Sequence, residues 1–75
     1  MRIIWSEIAQ ATFARFMVDQ AGMMAVNRAV EDLADDPAPL GAFVRDAYRR
    51  LPVGAYRVLY EVEDNLITIV RIDRV

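Results

Sequence analysis

The strongest constraint on the fold is a pair of alternating apolar stretches towards the end of the chain, Ala55 to Val62 and Leu66 to Ile72. Each stretch has the period of two that is typical of a strand. Asp64 to Asn65 separates them, and both residue types tolerate the positive φ of a tight turn. The sequence therefore predicts a β-hairpin in which Glu63 pairs with Leu66.

The same alternation assigns the two faces of this hairpin, because successive strand side chains point to opposite faces. One face is apolar and suits packing beneath helices: Tyr56, Val58, Tyr60, Val62, Ile67 and Ile69. The other face is mixed and partly polar: Arg57, Leu59, Glu61, Thr68, Val70 and Arg74. We therefore expect the guanidinium of Arg57 to project away from the helical layer.

A different period governs the first part of the chain. Met1 to Trp5 is rich in β-branched and aromatic residues and predicts a short strand, after which Ser6 offers a helix N-cap. Apolar side chains then recur at helical spacing: Ala9, Phe13, Phe16 and Met17. A helix from about residue 7 to about residue 19 is predicted.

Gly22 marks the predicted break before a second helix. The apolar stripe of this helix repeats at intervals of three and four residues: Met23, Val26, Val30 and Leu33. Pro37 and Pro39 end it, because proline cannot continue a helix. The two helices should form an αα-hairpin whose connection lies near Asp19 to Ala21.

A further strand, Tyr48 to Leu51, turns through Pro52 to Gly54 into the β-hairpin. The predicted order is β-α-α-β-β-β, in the α+β class. A chain of 75 residues has room for one domain, so a single domain over residues 1–75 is expected.

Composition excludes several kinds of site. The chain has no Cys and no His, so neither a disulfide nor a thiolate or imidazole metal site is expected. It has no glycine-rich phosphate loop, and no cofactor is expected. Neither a signal peptide nor an apolar run of about 20 residues is present, so we expect a cytoplasmic protein with no membrane partner.

The basic residues are all Arg, nine in number against eleven acids, for a net charge of −2. A global basic field for nucleic acid is absent, so contact with RNA must rest on a local patch. The strand segment supplies candidates: Tyr48, Arg49, Arg50, Arg57, Arg71 and Arg74. Guanidinium forks suit bidentate capture of phosphate, and tyrosine rings stack on bases.

Structural explanations of the same arginines stay open. Arg57 fits a cross-strand or diagonal ion pair with Glu61 or with an acid on an edge strand. Arg49 and Arg50 fit the charged guard of an edge strand, and Arg74 fits a frayed terminus.

The run from Arg50 to Val62, Arg-Leu-Pro-Val-Gly-Ala-Tyr-Arg-Val-Leu-Tyr-Glu-Val, resembles the Arg-Leu-Arg-Val-Gly-Asp-Tyr-Arg-Val-Ile-Tyr-Glu-Val segment of RelE/ParE toxins of type II toxin–antitoxin systems. Trp5 to Glu7, opening one helix, and Leu33 to Pro37, closing another, occupy the places where that family carries its αα-hairpin. The resemblance covers nearly the whole chain. It implies a small antiparallel sheet with the αα-hairpin packed on one face and a concave face that meets RNA.

In the RelE-type members that the chain resembles, basic residues on the sheet hold messenger RNA in the ribosomal A site and promote attack of a 2′-hydroxyl on its own phosphate. The resemblance implies that Arg57 stabilises the scissile phosphate and that Arg74, at or beside a later basic position, shares the catalytic role. It places Arg50 on the preceding strand as an RNA-binding residue. The remaining expected RNA-binding residues are Arg49, Arg71 and Tyr48.

Two positions depart from the family pattern. Pro52 stands where the pattern has a second Arg, which removes a charge and a backbone donor. Val75 stands where the family continues into a short basic segment ending in Tyr, so a chain cut short at this point is expected. Both departures bear on nuclease activity more than on fold or pairing.

Three functions are compatible with these observations. The first is a ribosome-dependent mRNA endoribonuclease toxin, neutralised by a cognate antitoxin in a hetero-oligomer. The second is a ParE-like toxin that inhibits DNA gyrase by binding. The third is a non-catalytic, truncated toxin that acts only as an antitoxin-binding module, or a self-associating domain of the same fold.

An antitoxin would need an apolar surface to cover. The hydrophobic share of 56% is more than so short a chain easily buries. Flexible, apolar side chains of the helices suit a partner helix, and they are the expected antitoxin-binding residues: Phe13, Phe16, Met17, Met23 and Met24. The same side chains also fit a core between helices and sheet, and the sequence leaves open which of them face the partner.

Overall fold

The computed structural model describes residues 1–45 and 47–75. In these residues the elements are β1 (Arg2–Trp5), α1 (Glu7–Arg15), a 3₁₀ turn (Phe16–Val18), α2 (Gln20–Asp32), β2 (Phe43–Arg45), β3 (Tyr48–Val53), β4 (Tyr56–Glu63) and β5 (Leu66–Arg74). The predicted α+β class, the helix pair and the β-hairpin are confirmed. Within the described ranges, no helix has the length and apolar character needed to cross a membrane.

The strands of the described residues form one mixed sheet in the order β1-β5-β4-β3-β2. Consecutive strands from β2 to β5 pair antiparallel, as expected. The expectation of a wholly antiparallel sheet is wrong at one edge, because β1 pairs parallel with β5, from Arg2 opposite Leu66 to Trp5 opposite Ile69. The additional strand, β2, has only three residues and no periodicity that would have predicted it.

The connection between the helices differs from the prediction. The first helix ends at Arg15, and the 3₁₀ turn leads to Asp19, whose carboxylate caps α2 by accepting a hydrogen bond from the N–H of Gly22 at 3.0 Å. Gly22 is therefore inside the first turn of α2 and does not break the helix. A Cβ on Gly22 would clash with the Asp19 carboxylate and lie 2.7 Å from the Tyr56 ring.

Both helices pack on the same face of the sheet. Their buried side chains meet those of β3, β4 and β5 in one core, which also confirms the predicted apolar face of the hairpin at Tyr56, Val58, Tyr60, Ile67 and Ile69. The buried residues are Ala9, Met23, Val26, Val30, Leu33, Leu51, Tyr56, Val58, Tyr60, Ile67, Ile69 and Ile72. The opposite face carries no helix in the part of the chain that the structure describes; we call it the open face.

An irregularity in β5 alters which residues reach the open face. Leu59 pairs with Arg71 but the next residue, Tyr60, pairs with Ile69, so Val70 is an extra residue, a β-bulge. The hydroxyl of Ser6, at the start of α1, donates to the Val70 carbonyl at 2.8 Å and so ties the bulge to the helix. Because one inserted residue reverses the alternation, every side chain beyond it changes face.

Candidate nucleic-acid interface

Three arginines lie on the strand positions around Leu59 on the open face. Arg50 of β3 and Arg71 of β5 lie opposite Leu59 on either side of β4, and Arg57 lies two residues before Leu59 on β4 itself. Neighbouring strands are about 5 Å apart, so a phosphodiester lying over Leu59 would be within reach of all three side chains. The arrangement can hold a phosphate and offset its negative charge.

Arg57 projects from the open face, as predicted. Its Nη1 donates to two carbonyl oxygens, that of Gly54 in the turn before β4 at 3.0 Å and that of Tyr56, the first residue of β4, at 2.8 Å. Among the described residues it makes no ion pair, so the alternative of a structural pair with Glu61 is not seen. Since a guanidinium has five N–H donors, this anchor on Nη1 orients the group and leaves Nε and Nη2 for a ligand.

Aromatic side chains flank the arginines at the β2 edge. The guanidinium carbon of Arg50 lies 5.2 Å from the centre of the Phe43 ring, which pairs with it across the strands. Phe43 is 45% exposed and Tyr48 is 40% exposed. Exposed aromatic rings beside guanidinium groups are suited to stacking on unpaired bases.

Arg71 is the only open-face arginine with an ion pair in the described chain. Its Nε lies 2.7 Å from a carboxylate oxygen of Asp73, and Asp73 pairs across the strands with Arg57. Neither Phe43 nor Asp73 was among the site residues predicted from the sequence. The spacing of Asp73, two residues after Arg71 in a strand, was a signal that could have found it, because such residues share a face.

Two predicted site residues lie on the other side of the sheet. Arg49 pairs with the buried Tyr60, and its Nη1 donates to the Pro37 carbonyl at 3.0 Å, beside the Tyr60 hydroxyl, which donates to the same oxygen at 2.8 Å. Burial raises the pKa of Tyr60. Arg49 therefore holds the loop after α2 against the sheet and is removed from the candidate RNA-binding set.

Arg74 is also on the helical side, which corrects its predicted position beside Arg57. The bulge at Val70 places Arg74 opposite Tyr56, with its guanidinium carbon 5.9 Å from the Tyr56 ring centre. The sheet itself separates it from Arg57. The two expected catalytic arginines are not brought together.

Asp19 and Tyr56 join the start of α2 to the sheet near Arg74. The Tyr56 hydroxyl donates to the Asp19 carboxylate at 2.8 Å. The hydrogen bonds from the Gly22 N–H and then from Tyr56 hold the pKa of Asp19 below its ordinary value. Conversely, donation to Asp19 is the main reason that the pKa of Tyr56 is raised.

These pKa shifts predict how the stability contributed by this contact varies with pH. The lowered pKa of Asp19 means that its contribution is present above about pH 4 and is lost as the pH falls through the folded-state pKa. The raised pKa of Tyr56 means that its contribution is present below about pH 10 and is lost as the pH rises through the folded-state pKa.

We therefore expect Tyr56→Phe to lower the free energy of unfolding most between about pH 5 and pH 9, with the difference from the wild type shrinking at both extremes. Urea unfolding followed by circular dichroism across this range measures it. A difference that is the same at every pH would show that the hydroxyl contributes through neutral contacts alone.

The helices form a second candidate surface. An open groove of ≈ 420 Å³ brings together four of the five expected antitoxin-binding residues, and its lining residues are Phe13, Met17, Met23, Met24, Asn27, Arg28 and Glu31. Met17 is 44% exposed and Met24 is 64% exposed. This surface, which we call the helical groove, is large enough and apolar enough to hold side chains of a partner.

Unlike Met17 and Met24, the remaining three expected antitoxin-binding residues contact the core. Met23 is fully buried, so it belongs to the core and contributes only the floor of the helical groove. Phe16 lies outside the groove and packs its ring against Tyr56, with ring centres 5.4 Å apart. Phe13 lines the groove but also packs edge-on against Trp5 at 5.3 Å.

Comparison with known families and structures gives consistent results. The sequence model of the ParE toxin of the type II toxin–antitoxin system, parDE, matches residues 3–74. Comparison with curated protein sequences gives no match.

Solved structures share the fold along the whole chain. The RelBE2 toxin–antitoxin complex from Mycobacterium tuberculosis matches with a TM-score of 0.81 at 20% identity, over 99% of this chain and 96% of the other. The DinJ–YafQ complex from E. coli matches with a TM-score of 0.80 at 17% identity, over 99% and 93%. The chromosomal ParDE system from P. aeruginosa matches with a TM-score of 0.70 at 22% identity, over 100% and 96%.

Proposed function

We propose that this chain, which belongs to the ParE toxin family of type II toxin–antitoxin systems, acts as a messenger-RNA endoribonuclease on the ribosome and that a cognate antitoxin neutralises it. The observation that carries the proposal is the position of Arg57 on the open face, with its Nη1 anchored on backbone carbonyls and with Arg50 and Arg71 beside it. Such a reaction would take place in the cytoplasm.

The chemistry that this face would promote is an internal transfer. A 2′-hydroxyl oxygen loses its proton and forms a bond to the adjacent phosphorus, the bond from phosphorus to the 5′-oxygen of the next nucleotide breaks, and that 5′-oxygen takes up a proton, which leaves a cyclic phosphate and a 5′-hydroxyl. Negative charge grows on the phosphoryl oxygens in the transition state, and a pre-oriented guanidinium stabilises that charge more than it stabilises the substrate. The arginines of the open face contribute charge stabilisation and positioning to this step.

Induced expression followed by primer extension on cellular mRNA tests the proposal. Cuts clustered within codons at the ribosomal A site are the expected result. Intact transcripts under conditions that arrest growth would contradict it.

Inhibition of DNA gyrase is the second candidate, and the position of Arg74 favours it. With Arg74 on the helical side, Arg57 has no second catalytic arginine beside it, and an inhibitor that acts by binding needs none. A supercoiling assay with purified gyrase distinguishes the two candidates. Inactivity in both assays, with antitoxin binding retained, would favour the non-catalytic module.

We propose that the antitoxin covers the helical groove, through an amphipathic helix whose apolar face meets Met17 and Met24. Two charged residues also line the groove. Glu31 accepts a hydrogen bond from the Asn27 side chain at 3.3 Å. Arg28 would suit a carboxylate on the partner. Toxin and antitoxin then form a hetero-oligomer.

Met24→Glu is expected to weaken the complex with the cognate antitoxin about 30- to 100-fold, because it places a charge in an apolar contact. Ile8→Glu is the matched control, since Ile8 is 60% exposed and lies outside the groove. Calorimetric titration of purified proteins measures both affinities. Equal losses for the two variants would place the antitoxin elsewhere.

A further inference from the structure

We propose that Asp73 limits the affinity of the open face for RNA by occupying Nε of Arg71, so that two-pronged binding of a phosphate at that edge of the guanidinium requires this ion pair to open. The inference rests on the proposed function for its natural ligand. The test uses a polyanion as well as RNA, so that failure of the role of Asp73 can be distinguished from failure of the proposed function.

The geometry around Asp73 is that of an internal competitor. The Asp73 carboxylate lies 2.7 Å from Nε of Arg71, and Asp73 pairs across the strands with Arg57. It therefore contacts one of the three arginines around Leu59 and occupies the strand position opposite a second. A carboxylate and a phosphate present similar oxygens to a guanidinium fork, so the carboxylate on Nε denies a phosphate the two-pronged edge of Arg71 that includes Nε.

The exposure of the pair suits a contact that opens. The side chains of Arg71 and Asp73 are 48% and 41% exposed, and no other hydrogen bond holds either side chain in the described ranges. Ion pairs of this exposure are weak and are screened by salt. A phosphate chain that also contacts Arg50 and Arg57 therefore displaces the carboxylate, at the cost of some affinity.

The bulge at Val70 makes this competition possible. Without it, strict alternation from Ile69 would place Arg71 and Asp73 beneath the helices. With it, both residues of the pair reach the face that carries Arg57.

Asp73→Asn is expected to raise the affinity for a short single-stranded RNA oligonucleotide about threefold to tenfold at low salt, because the phosphate no longer has to displace a carboxylate from Arg71. Asp64→Asn is the matched control. It removes the same charge at the distant β4–β5 turn, where Asp64 has a φ of 53° that Asn also tolerates.

Heparin chromatography of the full chain supplies the independent readout. Asp73→Asn is expected to elute at higher salt than both the wild type and Asp64→Asn, and the gain should disappear when Arg71→Ala is added. Three outcomes would each overturn the role of Asp73. They are elution of the two single variants at the same salt concentration, later elution of Asp73→Asn that persists after Arg71→Ala is added, and failure of every variant to bind the heparin column. A heparin shift without RNA binding would support that role while contradicting the RNA target.

Discussion

Arg57→Ala is expected to reduce mRNA cleavage about 100- to 1000-fold and to abolish growth arrest, because it removes the group proposed to stabilise the transition-state charge. Arg57→Lys should restore only a small part of the activity, since an ammonium lacks the second prong of the guanidinium fork. Cleavage is measured by primer extension in cells and by the rate of cutting on ribosomes programmed with a defined mRNA.

Arg74→Ala is the control for this prediction. Its guanidinium is on the helical side of the sheet beside Tyr56, so its loss should leave cleavage close to that of the wild type. Antitoxin binding should persist in both variants, as should the circular dichroism of the fold. Equal toxicity of Arg57→Ala and the wild type, or a large loss in Arg74→Ala alone, would contradict the assignment of Arg57.

Gly22→Ala is expected to destabilise the protein by about 1–3 kcal/mol, although the same substitution usually stabilises a helix. The added Cβ would clash with the Asp19 carboxylate, which is held by two hydrogen bonds, and would lie 2.7 Å from the buried Tyr56 ring. A domain of this size loses about 4–8 °C in Tm for each kcal/mol, so thermal unfolding measures the change easily.

Ala25→Gly is the matched reference, since Ala25 is an exposed residue of the same helix. It should cost about 1 kcal/mol, which shows that α2 elsewhere prefers alanine to glycine. If Gly22→Ala instead raises Tm, the helix and the Tyr56 ring are farther apart in solution than the structure places them.

Strong local periodicity was enough to predict the hairpin and the helices. Glu63 pairs with Leu66 across a turn in which Asp64 adopts a φ of 53°, as the Asp-Asn pair indicated. The buried stripe of α2 falls at Met23, Val26 and Val30, which recur at the predicted spacing. In both cases neighbours in sequence carry the information, so tertiary contacts were not needed.

The role of Gly22 could not be predicted from its neighbours in sequence. Glycine is unfavourable inside a helix, so its local meaning is a break. Its actual role is to admit the Tyr56 ring, a contact with a residue far away in sequence. Similarly, Phe43 lies in a strand too short to show any period, and its position beside Arg50 depends on pairing with β3.

The sequence contains a signal for the bulge at Val70, although strict alternation does not predict a bulge. If Ile67 and Ile69 face the helices, unbroken alternation puts Arg71 beneath the helices and Ile72 outside. Burying a charge without a partner is far more costly than inserting one residue in a strand. The conflict therefore marks the region between Ile69 and Ile72 as irregular, and it assigns Arg71 to the open face and Arg74 to the helical side.

The parallel pairing of β1 with β5 also determines when the sheet can be completed during synthesis. Among the described strands β1 pairs with β5 alone, from Arg2 opposite Leu66 to Trp5 opposite Ile69. Contacts of such long sequence separation form late, after the chain between them has been made. A nascent chain therefore has an incomplete sheet until β5 emerges from the ribosome.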